Sequence, residues 1–207
     1  VMNPNTGAIY AMETYPSFDC NDPFTLDDDS IEKLREYSIE HPEGTDEYSA
    51  YYSTLLNSLW KNKSVSELYE PGSTSKIITT AMALEEKLVS FDESFTCTGS
   101  YYVEGYSKPI HCHKRNGHGT HNFEYMLQNS CNPTLMTIAS RLGRQTFYKY
   151  FQDFGYTAKT GIDLPGEAAP LYSSLDNFFN VELAVYSFGQ TYKVTPLQQL
   201  TAICAVA

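Results

Sequence analysis

No run of 18 apolar residues occurs in the 207-residue chain, so no segment reads as a membrane-spanning helix. No positively charged start leads into an apolar stretch, so no signal peptide is visible. Basic residues are scarce: 14 Lys and Arg stand against 25 Asp and Glu, for a net charge of −11. That balance argues against a nucleic-acid partner, which needs a basic face. Internal repeats and low-complexity tracts are lacking. There are only five Cys, an odd number in a long chain, so no disulfide scaffold is implied and the redox compartment stays open. An initiator Met is missing as well. The chain starts at Val1 and stops inside the apolar run Leu200–Ala207, so both ends are expected to be cut and any anchor to lie elsewhere.

What is present is an ordinary globular composition, 42% apolar and 19% charged, long enough to bury a core within one domain. The negative charge is local. Between Asp19 and Glu47 there are eleven Asp or Glu against Lys33 and Arg35, which accounts for nine of the net negative charges. The stretch reads as a solvated surface insertion spanning about residues 19–56; an acidic docking face is the alternative.

Two short strands are expected to flank the turn Pro4-Asn5-Thr6-Gly7, where Asn and Gly supply turn dihedrals. A short helix is expected near Ser30–Ile39. From Ser73 onward Ile77, Ile78, Ala81, Met82, Leu84 and Leu88 fall at helical spacing. A second helix starts after Asn132, with Pro133 in its first turn and Gly143 at its end. A third covers Gln145–Phe154, and a last one follows Pro196. Phe95–His121 has no helical period and reads as strand and loop. Helices grouped after a strand pair point to an α+β fold rather than alternating βαβ units.

Two short motifs carry chemistry. In Ser73-Thr74-Ser75-Lys76, a Ser and a Lys three apart share one helix face. A Ser hydroxyl becomes a nucleophile only when a base takes its proton, and a buried Lys can be that base. Ser73 also follows Gly72 at a helix start, where the dipole favours developing negative charge. A plain helix-capping Ser is the alternative. In Ser130-Cys131-Asn132, a hydroxyl and an amide two apart point the same way on extended backbone. There the plain alternative is Asn132 as a helix N-cap.

The ordered landmarks of the chain are Asn3-Pro4 with Thr6-Gly7, Tyr15-Pro16-Ser17-Phe18-Asp19, Trp60-Lys61-Asn62, Tyr69-Glu70-Pro71-Gly72-Ser73-Thr74 with Lys76, and Gln128-Asn129-Ser130-Cys131-Asn132-Pro133. They continue with Ile162-Asp163-Leu164-Pro165-Gly166-Glu167, Phe188-Gly189-Gln190 and Val194-Thr195-Pro196-Leu197-Gln198. Together they resemble the transpeptidase domain of class B (monofunctional) penicillin-binding proteins, whose signature is S-x-x-K, S-x-N and K-T-G. Position 75, usually aromatic in that family, is Ser75 here. The resemblance implies the transpeptidase fold shared with serine β-lactamases and D,D-peptidases, an antiparallel sheet packed with helices. It implies Ser73 as acyl acceptor, Lys76 as base, Ser130 as proton relay to the departing amine, and Asn132 as partner of Lys76 and of the substrate amide. Lys159-Thr160-Gly161 spells K-T-G but runs into the Ile162–Glu167 landmark. The catalytic K-T-G strand is therefore expected further on, leaving a partial domain over 1–207 that is weakly active or inactive by itself.

By the same resemblance the substrate would be the D-Ala-D-Ala stem peptide of peptidoglycan, and β-lactams would acylate Ser73. The parent protein would be membrane-anchored, act at the extracytoplasmic face of the bacterial membrane and work with cell-wall synthesis proteins. The acyl chemistry requires no metal or organic cofactor. A serine β-lactamase, or a β-lactam sensor that binds without turnover, remains the alternative.

Cys97 and Cys112 bracket a short loop with His111, His113, His118 and His121 nearby. Thiolates and imidazoles are zinc ligands, which makes Cys97, Cys112 and His118 candidates for a structural site. A disulfide or two free thiols are equally open. Cys131 and Cys204 fall on apolar faces and are expected in the core.

Overall fold

The computed structural model describes all 207 residues. Its helices are α1 (Asp28–Ser38), α2 (Asp46–Trp60), α3 (Lys63–Ser66), α4 (Lys76–Glu85), α5 (Phe123–Gln128), α6 (Asn132–Leu142), α7 (Arg144–Asp153), α8 (Asn180–Tyr186) and α9 (Pro196–Cys204). Its strands are β1 (Ser94–Cys97), β2 (Ser100–Tyr101), β3 (Ile110–His111) and β4 (Gly119–Asn122). β1 pairs antiparallel with β4 and β2 with β3, as two separate two-stranded ladders. The fold is α+β with helices predominating. The expected N-terminal strand pair is reduced to a single antiparallel bridge, Met2 with Ile9, around the Pro4–Gly7 turn.

α6 lies between Cys131 and Gly143 as the sequence places it, α7 lies one residue before the expected Gln145–Phe154, and α9 starts at Pro196. Gly143 ends α6 and precedes α7 with a φ of 71°, a backbone that a side chain resists. Thr195 caps α9 by accepting from the Gln198 N–H, while the Gln198 side chain returns to the Thr195 N–H. This reciprocal pair satisfies two orphan donors of the first turn. α2 was not expected. Its buried side chains are only Leu56 and Leu59, so its apolar stripe is thin. The cap Thr45, followed by Asp46 and Glu47 in the first turn, was the available signal. α1 and α2 pack on each other around Leu26, Leu34 and Leu56, a small core separate from the main one.

The main core gathers α4, α6, α7 and α8. Ile78, Met82 and Ala83 of α4 meet Leu135, Ile138 and Ala139 of α6. Beside them lies an aromatic cluster of Phe151, Tyr156, Phe178, Tyr186 and Tyr192; the Tyr186 and Tyr192 rings are 4.7 Å apart between centroids. Aromatic pairs of this kind add about 0.5–1.5 kcal/mol each beyond their burial. The cluster stands directly under the turn that begins α4.

That turn is clamped by the segment Gly189–Val194. Gly72 donates its N–H to Gly189 O at 2.8 Å, and Glu70 accepts from the Thr191 N–H at 3.1 Å. Tyr69 bridges Val194 on the same face. A Cβ on Gly189 would sit 2.1 Å from Gly72 O, at a φ of +83°. Gly189→Ala is therefore expected to cost about 3 kcal/mol, overlap and backbone strain acting together. A thermal melt should show Tm lowered by roughly 6–12 °C; an unchanged Tm would mean that the two segments do not pack this closely.

Candidate active site

Residues Gly72–Ser75 form a 3-10 turn that runs straight into α4. The turn places Ser73 on the surface and sends Lys76 inward, where it is 3% exposed. Pro71 occupies the cap position and no side chain caps the turn, so the Ser73 hydroxyl is not spent on the backbone. Ser75 is buried and its hydroxyl lies 2.6 Å from the Tyr192 hydroxyl. The position expected to be aromatic thus carries a small hydroxyl bonded to Tyr192.

Ser130 sits in the left-handed region with a φ of 51°, an uncommon and strained conformation for a side-chain-bearing residue. It is not on extended backbone, as the motif spacing suggested. The consequence is a sharp turn between α5 and α6. It aims both the carbonyl and the hydroxyl of Ser130 at Lys76, each 2.8 Å from Nζ. Asn132 is not the cap of α6 either: Cys131 holds that position and Asn132 is the first helical residue. The Asn132 side chain is therefore free to accept from Lys76 Nζ through Oδ1 at 2.5 Å. Ser130 Oγ donates in turn to Ser73 Oγ at 2.9 Å.

The four sequence candidates Ser73, Lys76, Ser130 and Asn132 therefore meet in one hydrogen-bonded chain. Lys76 makes no direct bond to Ser73; the Ser130 hydroxyl stands between them. Burial pushes Lys76 down from its ordinary value to about 8, with the nearby Cys112 and Cys131 pulling the other way. No carboxylate is paired with Lys76 to hold it charged. A lysine so placed exchanges protons near neutral pH.

Lys159-Thr160-Gly161 lies elsewhere. Glu167 accepts from the Thr160 N–H and hydroxyl, both at 2.6 Å, and from the Gly161 N–H at 3.2 Å. The loop closes on itself, and Thr160 and Gly161 line a cavity together with Leu197 and Thr201 of α9.

A second cluster abuts the first. The ligand atoms of Cys97, Cys112, His118 and Cys131 all lie within 4.8 Å of one another. The sequence singled out three of these residues. Cys131 is fully buried, as expected of a core residue, but its thiol faces the cluster rather than an apolar face alone. Cys204 is only partly buried, because the last turn of α9 lies near the surface. His121 donates from Nδ1 to Gly119 O at 2.9 Å, and its Nε2 lies 3.0 Å from Thr134 Oγ1. His113 lies beside His118 with the rings tilted and their centroids 5.1 Å apart, and His111 is exposed on β3.

The whole chain, residues 1–207, matches the family model described as penicillin binding protein transpeptidase domain. It is 37% identical to stage V sporulation protein D of Bacillus subtilis (strain 168) over 205 residues, covering 99% of this chain and 27% of that protein. It is 30% identical over 211 residues to a peptidoglycan D,D-transpeptidase FtsI homolog of Mesostigma viride, covering 96% of this chain and 30% of the relative. Among solved structures, Pseudomonas aeruginosa PBP2 superimposes with a TM-score of 0.74 at 24% identity, over 98% of this chain and 44% of that one. The chain thus spans 27–30% of the length of these two curated relatives.

Proposed function

Since the chain belongs to the penicillin-binding protein transpeptidase family, we propose that it carries the acylating residues of a peptidoglycan D,D-transpeptidase. One observation carries the reading: the unbroken chain from Lys76 Nζ through Ser130 Oγ to Ser73 Oγ, with Asn132 fixing the lysine. Neutral Lys76 takes up the Ser73 proton through Ser130 as Ser73 Oγ attacks the carbonyl of a D-Ala-D-Ala stem peptide. The C–N bond breaks, and the proton returns through Ser130 to the departing D-Ala amine. An amine from a neighbouring stem then attacks the ester, frees Ser73 and completes the cross-link. Splitting one difficult exchange into two easier ones is the advantage of such a covalent intermediate.

A β-lactam has the same acyl carbonyl in a strained ring, so it would acylate Ser73 without losing a fragment. The setting would be the extracytoplasmic face of a bacterial membrane. No helix of the chain is long and apolar enough to cross a membrane, so anchoring would fall to another part of the parent protein. Partners among cell-wall synthesis proteins would likewise engage the parent. The test is the intact mass of the protein carrying this chain after exposure to benzylpenicillin. A stable gain of one drug mass, mapped to the Ser73 peptide, supports the reading. Rapid conversion of the drug to its hydrolysed form would make the protein a β-lactamase. Intact drug with unmodified protein would sink the proposal.

A further inference from the structure

A cavity of about 600 Å³ opens alongside α6, between the segment that follows β2, the α6–α7 junction and the start of α8. Its floor is apolar. Met136 and Ala184 line it, and with Val103 and Phe188 they form a small buried cluster. Phe188 precedes Gly189, whose carbonyl accepts from the Gly72 N–H. The floor of the cavity is thereby tied to the turn that carries Ser73.

The rim is aromatic and polar. Tyr102 is 71% exposed on the segment after β2. The Arg144 guanidinium lies 5.4 Å over the Phe179 ring, a contact that restrains it. Glu104 and Asn180 are exposed on the two flanking elements. Gly143 caps α7 without a side chain, so N–H groups of the first turn at Gln145 and Thr146 are open donors beside the cavity. A carboxylate and a guanidinium both stand here, with amide donors and acceptors between them. Such a mixture suits a neutral, polyhydroxylated ligand better than an anion or a cation. Sugar rings lay their C–H faces on aromatic rings, while hydroxyl and acetamido groups both give and take hydrogen bonds. The volume falls within the range of about 300–1,000 Å³ usual for small-ligand sites, room for a disaccharide.

We infer that this cavity binds the amino-sugar backbone from which the reacting stem peptide hangs. The inference rests on the acyl-transfer reading, and the spacing of α6 supports it. Asn132, Met136 and Ser140 follow one another at four-residue intervals on that helix, so they share one side of it. At a rise of about 1.5 Å per residue, Met136 stands about 6 Å and Ser140 about 12 Å along the axis from Asn132. In a pentapeptide stem, four residues separate the muramyl lactyl group from the scissile carbonyl, at most about 13–14 Å when extended. A stem laid along α6 with its carbonyl at Ser73 therefore delivers its sugar into the cavity. Binding energy from a part of the substrate that does not react can be used to orient the part that does. Stems attached to glycan should accordingly react better than the same peptide free in solution.

The test uses the protein carrying this chain with three probes: soluble glycan bearing uncross-linked pentapeptide stems, the free pentapeptide, and benzylpenicillin. D-Ala release in the presence of an amine acceptor should favour the glycan-borne stem by roughly 10–100-fold in kcat/KM. Tyr102→Ala and Arg144→Ala should each remove roughly 5–30-fold of that preference, as loss of an anchoring Tyr or Arg does at interfaces. Both variants should react with free pentapeptide and with penicillin at the wild-type rate. Both side chains are exposed, so their thermal melts should match the wild type. A stem-free tetrasaccharide of alternating N-acetylglucosamine and N-acetylmuramic acid should bind in calorimetry, and both variants should weaken it. Equal kcat/KM with and without glycan, or tetrasaccharide binding that both variants leave intact, would overturn the inference. Variants that slow penicillin as much as the glycan-borne stem would overturn it too, since their effect would then lie in the acylating turn. Tetrasaccharide bound through Tyr102 and Arg144 in a protein that penicillin never acylates would sink the acyl-transfer reading and leave the sugar site.

Discussion

Ser73→Ala is expected to abolish the penicillin adduct, a loss on the order of 10⁶ in acylation rate, as for removal of other activated serines. The variant should fold normally. Ser73 is exposed and its side chain meets only Ser130 Oγ, so its removal strands no buried partner; such surface changes stay within about 0.5 kcal/mol. Lys76 also keeps its three acceptors, Ser130 O, Ser130 Oγ and Asn132 Oδ1. The measurement is intact mass against time at saturating penicillin, with a thermal melt alongside. An adduct that persists in a folded Ser73→Ala protein would move the nucleophile elsewhere and remove the central claim.

The second large effect concerns Lys76 and pH. Only the neutral amine can receive the Ser73 proton, and it exists above the lysine's own pKa. With that value lowered by burial to about 8, about a tenth of the molecules carry the free base at pH 7, against about 0.03% for an ordinary lysine. Acylation should therefore rise about tenfold from pH 6 to pH 7 and level off above pH 8. Lys76→Ala should lower the rate by about 10²–10⁴ and flatten that profile. The pH dependence distinguishes a base from a merely structural lysine, whose loss would reduce the rate and keep the slope. A wild-type rate that is flat from pH 6 to 8, or that falls with rising pH, would rule out Lys76 as the base.

Ser130 connects these two predictions. Its left-handed backbone is costly, about 1–3 kcal/mol for conformations of this kind, and is held by what surrounds it. Asn129 and Cys131 are tied to α5 by their N–H groups, which reach Tyr125 O and Met126 O. Lys76 engages both oxygens of Ser130 from the interior. The turn so held carries a hydroxyl that touches Lys76 and Ser73 at once.

Much of this protein is legible residue by residue. Helices α6, α7 and α9 announce themselves through periodic apolar positions bounded by Pro133, Gly143, Gly155 and Pro196. Local capping and glycine conformations decide such boundaries, and they depend on neighbours in the chain. The acyl-transfer residues are legible for a different reason. Spacing alone left helix capping open for Ser73 and Asn132, and it was the ordered landmarks around both motifs, by their resemblance to a family, that singled out Ser73, Lys76, Ser130 and Asn132. α8 escaped because its buried face, Leu183, Ala184 and Tyr186, is too short for a period to emerge. α2 escaped because tyrosines and serines dilute its stripe.

Other features exist only in three dimensions. That Gly72 lies against Gly189 depends on a contact between segments more than a hundred residues apart. The burial that lowers Lys76, and the Ser130 hydroxyl that separates it from Ser73, follow from α4 packing on α6. Cys131 looked like filler for a core, and as a buried residue it is. Its place beside Cys97, Cys112 and His118 required the β1–β4 register and the close backbone crossing at Gly99 and Gly117 to converge on one point. Sequence by itself determined which side chains could take part in the chemistry, because identity and short spacing set what a residue can do. Tertiary structure decided which of them meet and in what charge state, because distance and burial across the fold are set by packing and not by order along the chain.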